Sequence, residues 1–409
     1  MFVTALDKSW LETPFLVQGI LIQSQEDIDR ISEHSTFVWI DPHRQSIQLM
    51  GKLKTISSQS THSPQIKNKT IEKSSESLHL KKQVKHYSKI EEVEREHSTA
   101  YKVFAEGKEV IKEVLGAAAV NVTPDRDKSK NLVKSCLDSI LRNPDALLWM
   151  TKIREEDEYT AEHCLSVCVL AIVFGRYLGL KEKDLTLLGM CGLLHDVGKM
   201  QVSAELLNKP GALTADEFSE IKNHTLRGYE LLSSNDKPLP SIIAETAVGH
   251  HERMDSRGYP KKISASTLPE LVRIISIVDA YDAMTADRCY SAAKSTTAAL
   301  KIIYEERGKQ FDEDLALAFI RCIGIYPPGS LVELMNGSVG IVLDVNEKYR
   351  HLPRIIILRD ADNMVFSPYI VNLIEIEFGD LDSGYLVKST LKSGAHGIDV
   401  KNYTRHSES

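Results

Sequence analysis

Histidine and aspartate residues of the kinds that bind metal ions recur through the middle of this 409-residue chain. They occur as two isolated His residues, a His-Asp pair, a His-His pair and an isolated Asp: His163, His224, His195-Asp196, His250-His251 and Asp279. Imidazole and carboxylate groups together bind divalent Fe, Mn, Zn or Ni, as neutral His and ionised Asp. These groups could hold two metal ions with one shared carboxylate, and paired metal ions are widely used to hydrolyse phosphate esters.

Each of these residues has an ordinary explanation when it is considered alone. An isolated His on a helix is usually solvated or hydrogen-bonded, and two adjacent His residues could simply end a helix. The two Asp residues favour a metal site instead. The His195-Asp196 pair closes the largely apolar stretch 185–194 and Asp279 follows the largely apolar stretch 271–278, where burying an uncompensated carboxylate would be costly. The alternative is that all of these residues are ordinary hydrogen-bonded polar groups of a core. That would require several independent coincidences in one domain.

The elements that must position these residues form a predicted all-α domain over residues 151–325. Apolar residues recur there at helical spacing, which predicts helices over 162–178, 184–194, 214–232, 241–250, 268–286 and 296–306. Thr214 and Glu217 have the spacing of a capping box, in which a hydroxyl and a carboxylate satisfy the first backbone N–H groups of a helix. A helix is therefore predicted to begin at this point.

The rest of the chain divides by composition and periodicity into five further segments. The sequence predicts a small α+β module, a flexible linker, a helical connector, a small all-β appendage and a mobile tail, over 1–51, 52–86, 87–150, 326–379 and 380–409. The linker is rich in Ser, Thr, Gln and Lys and has no aromatic residue, so it has too few large apolar side chains to form a core. The connector helices are amphipathic and could form a homodimer contact. The predicted fold class is therefore multidomain.

Composition excludes several classes of protein. With 57 acidic and 50 basic residues, the formal charge of −7 does not favour a nucleic acid or membrane partner. The six Cys residues contain no CxxC pair, so we expect reduced thiols and no structural disulfide. No signal segment or run of 18 apolar residues is evident, and a cytoplasmic location is expected.

In their order along the chain, these motifs resemble the HD superfamily of metal-dependent phosphohydrolases, and within it the HD-GYP branch. Segments 195–199, 207–214, 250–260 and 279–285 are similar to the HD-x-G-K core, the loop that follows it, the HHExxDGxGYP motif and the DxFDAxT helix. Segments 10–15 and 37–41 are similar to a small domain of unassigned function that precedes some HD-GYP domains.

The resemblance implies hydrolysis of cyclic di-GMP, a bacterial second messenger, to linear pGpG by a hydroxide that two metal ions activate. Whether the product continues to GMP stays open. The cofactors would be two divalent ions, with Fe or Mn favoured and Zn or Ni as the alternatives. The implied partners are cyclic di-GMP as substrate and proteins that bind the N-terminal module. The alternatives are a phosphodiesterase for a mixed GMP-AMP cyclic dinucleotide and a non-catalytic sensor of such molecules.

The resemblance also assigns roles to individual residues. It implies that Asp196 and Lys199 are catalytic, and that Lys199, Tyr259 and Arg288 bind the substrate. The implied metal ligands are the seven residues His163, His195, Asp196, His224, His250, His251 and Asp279, with Asp196 bridging the two ions.

Three positions depart from the family pattern. Tyr159 stands where a subgroup with three metals has Glu, and a phenol is a poor ligand at neutral pH, so two metals are expected. Ser256 replaces a Gly, which would strain the loop if that position requires a positive φ. Ser291 replaces a Lys, so one basic contact with phosphate is absent unless Lys294 supplies it.

Overall fold

The computed structural model describes residues 2–6, 20–21, 25–32, 38–41, 85–153, 159–209, 211–234, 239–264, 267–286 and 293–403. The chain divides into two compact units, Met1–Glu76 and Ser77–Ser409. In the first unit, strands β1 (Phe2–Leu6), β2 (Ile20–Leu21) and β3 (Val38–Asp41) form an antiparallel sheet in the order β2-β1-β3, and helix α1 is Gln25–Ser32. The α+β module and the linker stay predictions, because most of their residues lie outside the described ones.

The second unit begins with a helical region, as the sequence predicts. Its helices are α2 (Val93–Ala119), α3 (Arg126–Arg142), α4 (Pro144–Met150), α5 (Tyr159–Tyr177), α6 (Glu182–Leu194), α7 (Ala204–Leu207), α8 (Ala215–Lys222), α9 (His224–Ser233), α10 (Ser241–Gly249), α11 (Glu270–Thr285), α12 (Thr296–Glu305) and α13 (Glu313–Ile323). Helices α2 and α3 of the predicted connector contribute buried apolar residues to the same core as the later helices.

Helix α5 lies at the centre of this region. Its residues from Ala161 to Phe174 are buried on every side of the helix, which requires a sequence that is apolar all round rather than amphipathic. Within the described residues, its segment Thr160–Tyr177 is the one helix long and apolar enough to cross a membrane, and 83% of that segment is buried inside the fold. Such burial is typical of a core helix.

The predicted helix over 214–232 is wrong as a single element. The capping box at its start is confirmed, since the Thr214 hydroxyl accepts from the Glu217 N–H and the Glu217 carboxylate accepts from the Thr214 N–H. The chain then ends α8 at Lys222 and begins α9 at His224. Apolar spacing continues across the break, so periodicity could not reveal it.

The C-terminal region forms a five-stranded antiparallel sheet with the order β7-β6-β5-β4-β8. Its strands are β4 (Leu331–Leu334), β5 (Val339–Asp344), β6 (Arg354–Arg359), β7 (Val365–Asn372) and β8 (Val387–Leu391), with helix α14 (Glu375–Phe378) before β8. Alternate residues of β5 point to opposite faces. Val339, Ile341 and Leu343 join the helical core, whereas Val342 belongs to a separate apolar cluster of the sheet.

Charged side chains also join the sheet to the helices. Arg354 on β6 lies 3.0 Å from Asp344 and 3.5 Å from Glu92, and it pairs with Glu94 on α2. Since Arg354 is partly buried, this set of ion pairs fixes the orientation of the sheet more than pairs in open solvent would.

The sequence prediction of a mobile tail from residue 380 differs from the structure. Val387–Leu391 pairs with β4 as the fifth strand of the sheet, and Ile398 and Val400 are buried in the helical core. The tail is rich in Ser, Lys and His, but a few apolar residues suffice to attach a strand when a partner strand supplies the hydrogen bonds.

Candidate metal centre

Six local elements bring the predicted metal ligands to one place. His163 lies in the first turns of α5, His224 begins α9 and Asp279 lies in α11, while His195 and His250 directly follow α6 and α10. Asp196 precedes a short 3-10 helix, and His251 follows His250. Six of these side chains are buried, and His251 is partly buried.

The two oxygen atoms of the Asp196 carboxylate face two different pairs of imidazoles. Its Oδ2 lies 3.4 Å from Nε2 of His163 and 3.3 Å from Nε2 of His195. Its Oδ1 lies 3.4 Å from Nε2 of His224 and 3.5 Å from Nε2 of His250. Asp279 adds a second carboxylate, with Oδ1 3.2 Å from Nε2 of His163. One carboxylate therefore lies between two groups of nitrogen atoms.

Hydrogen bonds at Nδ1 fix the orientation of the imidazoles. Nδ1 of His195 lies 2.7 Å from the Gly192 carbonyl, and Nδ1 of His224 lies 2.6 Å from the Ile221 carbonyl. Nδ1 of His250 lies 3.0 Å from the Ala247 carbonyl. A carbonyl oxygen accepts only, so each Nδ1 must donate and each Nε2 presents its lone pair to the centre. Imidazoles that bind a metal ion are held in this way.

The residues present fit divalent metal ions. Nε2 of His195 and Oδ1 of Asp196 are buried and make no hydrogen bond within the described part of the chain, an arrangement that is costly unless a cation relieves it. In each of three groups of residues, the ligand atoms lie within 4.8 Å of one another. The groups are Asp196, His224, His250 and His251; His163, His195 and Asp196; and His195, His250 and Asp279. Asp196 is shared by the first two groups, as a bridging ligand would be.

Charge and burial together set the protonation of the centre. Burial would raise the pKa of Asp196, but Lys199 and His195 outweigh it and hold that pKa well below the usual value. Burial would lower the pKa of His163, but the hydrogen bonds that its ring donates to the neighbouring carboxylates raise it to about 10. His224 has the opposite shift, to about 3, chiefly because of burial. The carboxylates are thus ionised, as metal binding requires.

Lys199 lies beside the Asp196 carboxylate. Its Nζ pairs with Oδ2 of Asp196, and its side chain is partly buried. The 3-10 helix Val197–Gln201 brings it there, in place of a continuation of α6. Gly198 in this helix packs directly on α9, since a Cβ would lie 2.0 Å from the His224 carbonyl oxygen. Only Gly permits this approach between the motif and the helix that carries His224.

Residues 251–262 form a loop that covers one side of the centre. The Glu252 side chain is buried, and its Oε1 accepts hydrogen bonds from the N–H groups of Lys261 at 2.6 Å and Lys262 at 3.0 Å, which closes the loop. Gly258 has no room for a Cβ, which would lie 2.5 Å from the His251 carbonyl oxygen. Tyr259 then places its ring 4.7 Å from the His251 ring.

Ser256 has a φ of 59°. The position is therefore in the left-handed region, and a residue with a Cβ is strained there. The loop is held by Arg253, which pairs with Asp255 at 3.0 Å and with Glu306 after α12 at 3.1 Å.

Sequence reasoning missed Asp282 as a functional residue. Its Oδ2 lies 2.7 Å from Nδ1 of His163, and the side chain is fully buried. Asp282 follows Asp279 by three positions in a helix, so the two lie on one face; that spacing was the available signal. Arg288 and Ser291 lie outside the described residues, and the role of Arg288 stays a prediction.

Comparisons with known proteins agree with this geometry. The model of the HD domain family matches residues 144–315, and the model of a domain of unknown function, DUF3391, matches residues 1–129. A cyclic di-GMP phosphodiesterase of Pseudomonas aeruginosa is 31% identical over 377 residues, which are 90% of this chain and 84% of that protein.

Two other relatives match shorter lengths of the chain. A cyclic di-GMP phosphodiesterase response regulator of Xanthomonas campestris is 38% identical over 35% of this chain and 38% of its own length. A 3'3'-cGAMP-specific phosphodiesterase of Vibrio cholerae is 32% identical over 41% of this chain and 36% of its own length. The chain belongs to the HD-GYP family of HD-domain phosphodiesterases and carries the domain of unknown function ahead of its HD domain.

Proposed function

We propose that this protein hydrolyses cyclic di-GMP to linear pGpG. The observation that carries the proposal is the division of the Asp196 carboxylate between two pairs of buried imidazoles, at 3.3 to 3.5 Å from each Nε2. This arrangement suits a bridged pair of metal ions, and a relative that aligns with 90% of the chain is named a cyclic di-GMP phosphodiesterase.

The proposed metal set consists of two divalent ions with Asp196 as the shared ligand. The first site consists of His163, His195, Asp196 and Asp279, and the second of Asp196, His224, His250 and His251. Fe or Mn is favoured over Zn or Ni, although these ligands accept all four. When bound, such ions act as Lewis acids on the phosphodiester and on the attacking water.

The side chains of this protein have separate tasks in the proposed reaction. Asp196 stays ionised and holds the Lys199 ammonium at the bridging position, where that charge offsets the negative charge that develops on the phosphoryl oxygens. Asp282 holds the His163 ring in orientation. Tyr259 and Arg288 bind the substrate, and the loop 251–262 keeps Tyr259 against His251.

A mixed GMP-AMP cyclic dinucleotide is the second candidate substrate. It is favoured by the relative named as 3'3'-cGAMP-specific and by Ser291, which replaces a basic residue of the family pattern. A sensor without turnover is disfavoured, since a sensor would be expected to have lost at least one metal ligand. In this chain all seven proposed ligands lie close together.

The remaining parts of the proposal concern the protein outside the centre. The N-terminal module binds protein partners, and helices α2 and α3 support a homodimer in the cytoplasm. Removing residues 1–86 and finding turnover and partner binding unchanged would contradict the role of the module.

The decisive experiment is product analysis with the full-length chain. Protein loaded with Fe(II) or Mn(II), with its metal content measured, is incubated separately with cyclic di-GMP and with the mixed dinucleotide, beside Asp196→Ala. Linear pGpG with the intact chain and none with the variant is expected. Tight binding of cyclic di-GMP without a linear product under both metals would establish a sensor instead.

A further inference from the structure

Helix α8 lies on the surface beside the metal centre, and none of its eight residues is buried. It is held by local contacts: the capping box at Thr214, and the Lys209 ammonium at 2.7 Å from both oxygens of Glu217. The chain runs directly from this helix into His224. Since α8 adds no fully buried side chain to the core, its side chains are available to face the site or the solvent.

Phe218 on α8 extends a row of rings that starts at the centre. The His251 and Tyr259 rings lie 4.7 Å apart and are tilted by 32°. The Tyr259 and Phe218 rings lie 6.2 Å apart at 76°, an edge-to-face arrangement. His251, Tyr259 and Phe218 therefore connect a proposed metal ligand to the protein surface.

The surroundings of Phe218 are those of a ligand-facing ring. Its side chain is 47% exposed. Among the described residues, Tyr259 and Lys222 border the ring, and the Lys222 Nζ lies 5.0 Å from the ring centroid. An accessible aromatic ring bordered by a phenol and an ammonium, at the edge of a polar site, is typical of a surface that stacks nucleobases.

We propose that Phe218 stacks against a base of the cyclic dinucleotide whose phosphate lies at the metal centre. This proposal rests on the proposed function and names a substrate-binding residue for it. Stacking uses the π face that every base has, so Phe218 contributes affinity for both cyclic di-GMP and the mixed dinucleotide. The nearby Lys222 ammonium adds a positive charge that favours these anionic ligands.

The first test replaces the Phe218 ring with another apolar side chain. Phe218→Leu keeps an apolar side chain but removes the π face, and we expect KM for both dinucleotides to rise about tenfold while kcat changes by less than about twofold. Phe378→Leu is the matched control, since Phe378 is 70% exposed and lies on α14 in the C-terminal region. Its KM should equal that of the wild type.

The second test uses a spectroscopic signal that a purely structural role would not produce. Phe218→Trp retains a stacking face and places a fluorophore there. Rapid mixing with cyclic di-GMP should quench this added fluorescence relative to the wild type, and KM should stay within about twofold of the wild-type value.

The two possible failures are distinguishable. Quenching in Phe218→Trp is measured whether or not turnover occurs, and wild-type turnover is measured in the same series. An unchanged KM in Phe218→Leu, or no quenching in Phe218→Trp, with a fully active wild type would overturn the stacking proposal alone. Quenching with no turnover by the wild type would retain the stacking and contradict the proposed function.

Discussion

The metal centre and the apolar cluster of the C-terminal sheet are both buried, but they bury opposite kinds of group. The sheet cluster is made of aliphatic side chains such as Val332, Leu334 and Ile355, whose removal from water stabilises the fold directly. The centre buries imidazoles and carboxylates, of which Nε2 of His195 and Oδ1 of Asp196 make no hydrogen bond with the described residues. Burial stabilises the first region by itself, whereas burial of these two unpaired atoms in the second region is unfavourable until a cation is bound.

This comparison separates stability from activity. A change in the sheet cluster should cost free energy of unfolding and leave the chemistry intact in the molecules that remain folded. A change in the centre should abolish metal binding and turnover with a smaller effect on the fold. The four predictions that follow test this separation, from the largest expected effect to the smallest.

Asp196→Ala should produce the largest effect. It removes the carboxylate that faces both imidazole pairs, so metal content should fall and kcat/KM for cyclic di-GMP should drop by at least about 10³-fold. Metal analysis and product assays measure both quantities. Asp138→Ala, at an exposed position on α3, is the control and should behave as the wild type. Retention of activity in Asp196→Ala would remove Asp196 from the centre.

Leu334→Ala should affect stability alone. Leu334 is fully buried in the sheet cluster, and truncating such a residue costs about 2 to 5 kcal/mol of the free energy of unfolding. Denaturant unfolding measures the loss, with Met335→Ala, at the exposed neighbouring position, as the control. Metal content and kcat per folded molecule should not change. If the variant loses its metal while still folded, the two regions are coupled and the comparison fails.

Asp282→Asn should weaken metal binding without abolishing it. The amide cannot hold the His163 ring as the carboxylate does at 2.7 Å, and changes of this kind lower metal affinity or activity about 10- to 100-fold. Competition with a chelator measures the affinity, and Asp138→Asn serves as the control. An affinity equal to that of the wild type would show that Asp282 does not orient the ligand.

Ser256→Gly should give the smallest effect and a favourable one. Glycine adopts the φ of 59° without strain, so the free energy of unfolding should rise by up to about 1 kcal/mol. Thermal unfolding of the metal-loaded protein detects this change. Arg257→Gly, in the same loop but not among the positions of positive φ, should be neutral or destabilising. A loss of stability in Ser256→Gly would mean that the Ser side chain contributes contacts that outweigh the strain.

Much of the helical region could be predicted because periodicity and capping are local properties. The spacing of apolar residues located α5, α6 and α11, and the Thr214 capping box marked the start of α8. The break at Asn223 was missed because the residues on both sides keep helical spacing. Its consequence is local and functional: His224 begins a new helix, and Nδ1 lies 2.6 Å from the Ile221 carbonyl.

The tail and Asp282 were missed for a different reason. In the pairing of β4 with β8, Leu331 lies opposite Leu391. The periodicity of a short strand does not indicate which distant strand it pairs with. Asp282 in turn looks like any polar residue of α11 until the His163 ring is placed 2.7 Å from it. Both depend on the packing of distant segments.

The sequence by itself determined which residues could bind metal ions, since the residue types and the apolar stretches before Asp196 and Asp279 are properties of the chain. The tertiary structure alone decided how these groups share one carboxylate, which ring nitrogens face the centre, and that Phe218 meets Tyr259. The physical reason is that ligand geometry depends on distances between helices, and those distances are set by the packing of side chains far apart in sequence. The chemistry of each residue is therefore a local property, whereas the arrangement of these residues depends on contacts between distant segments.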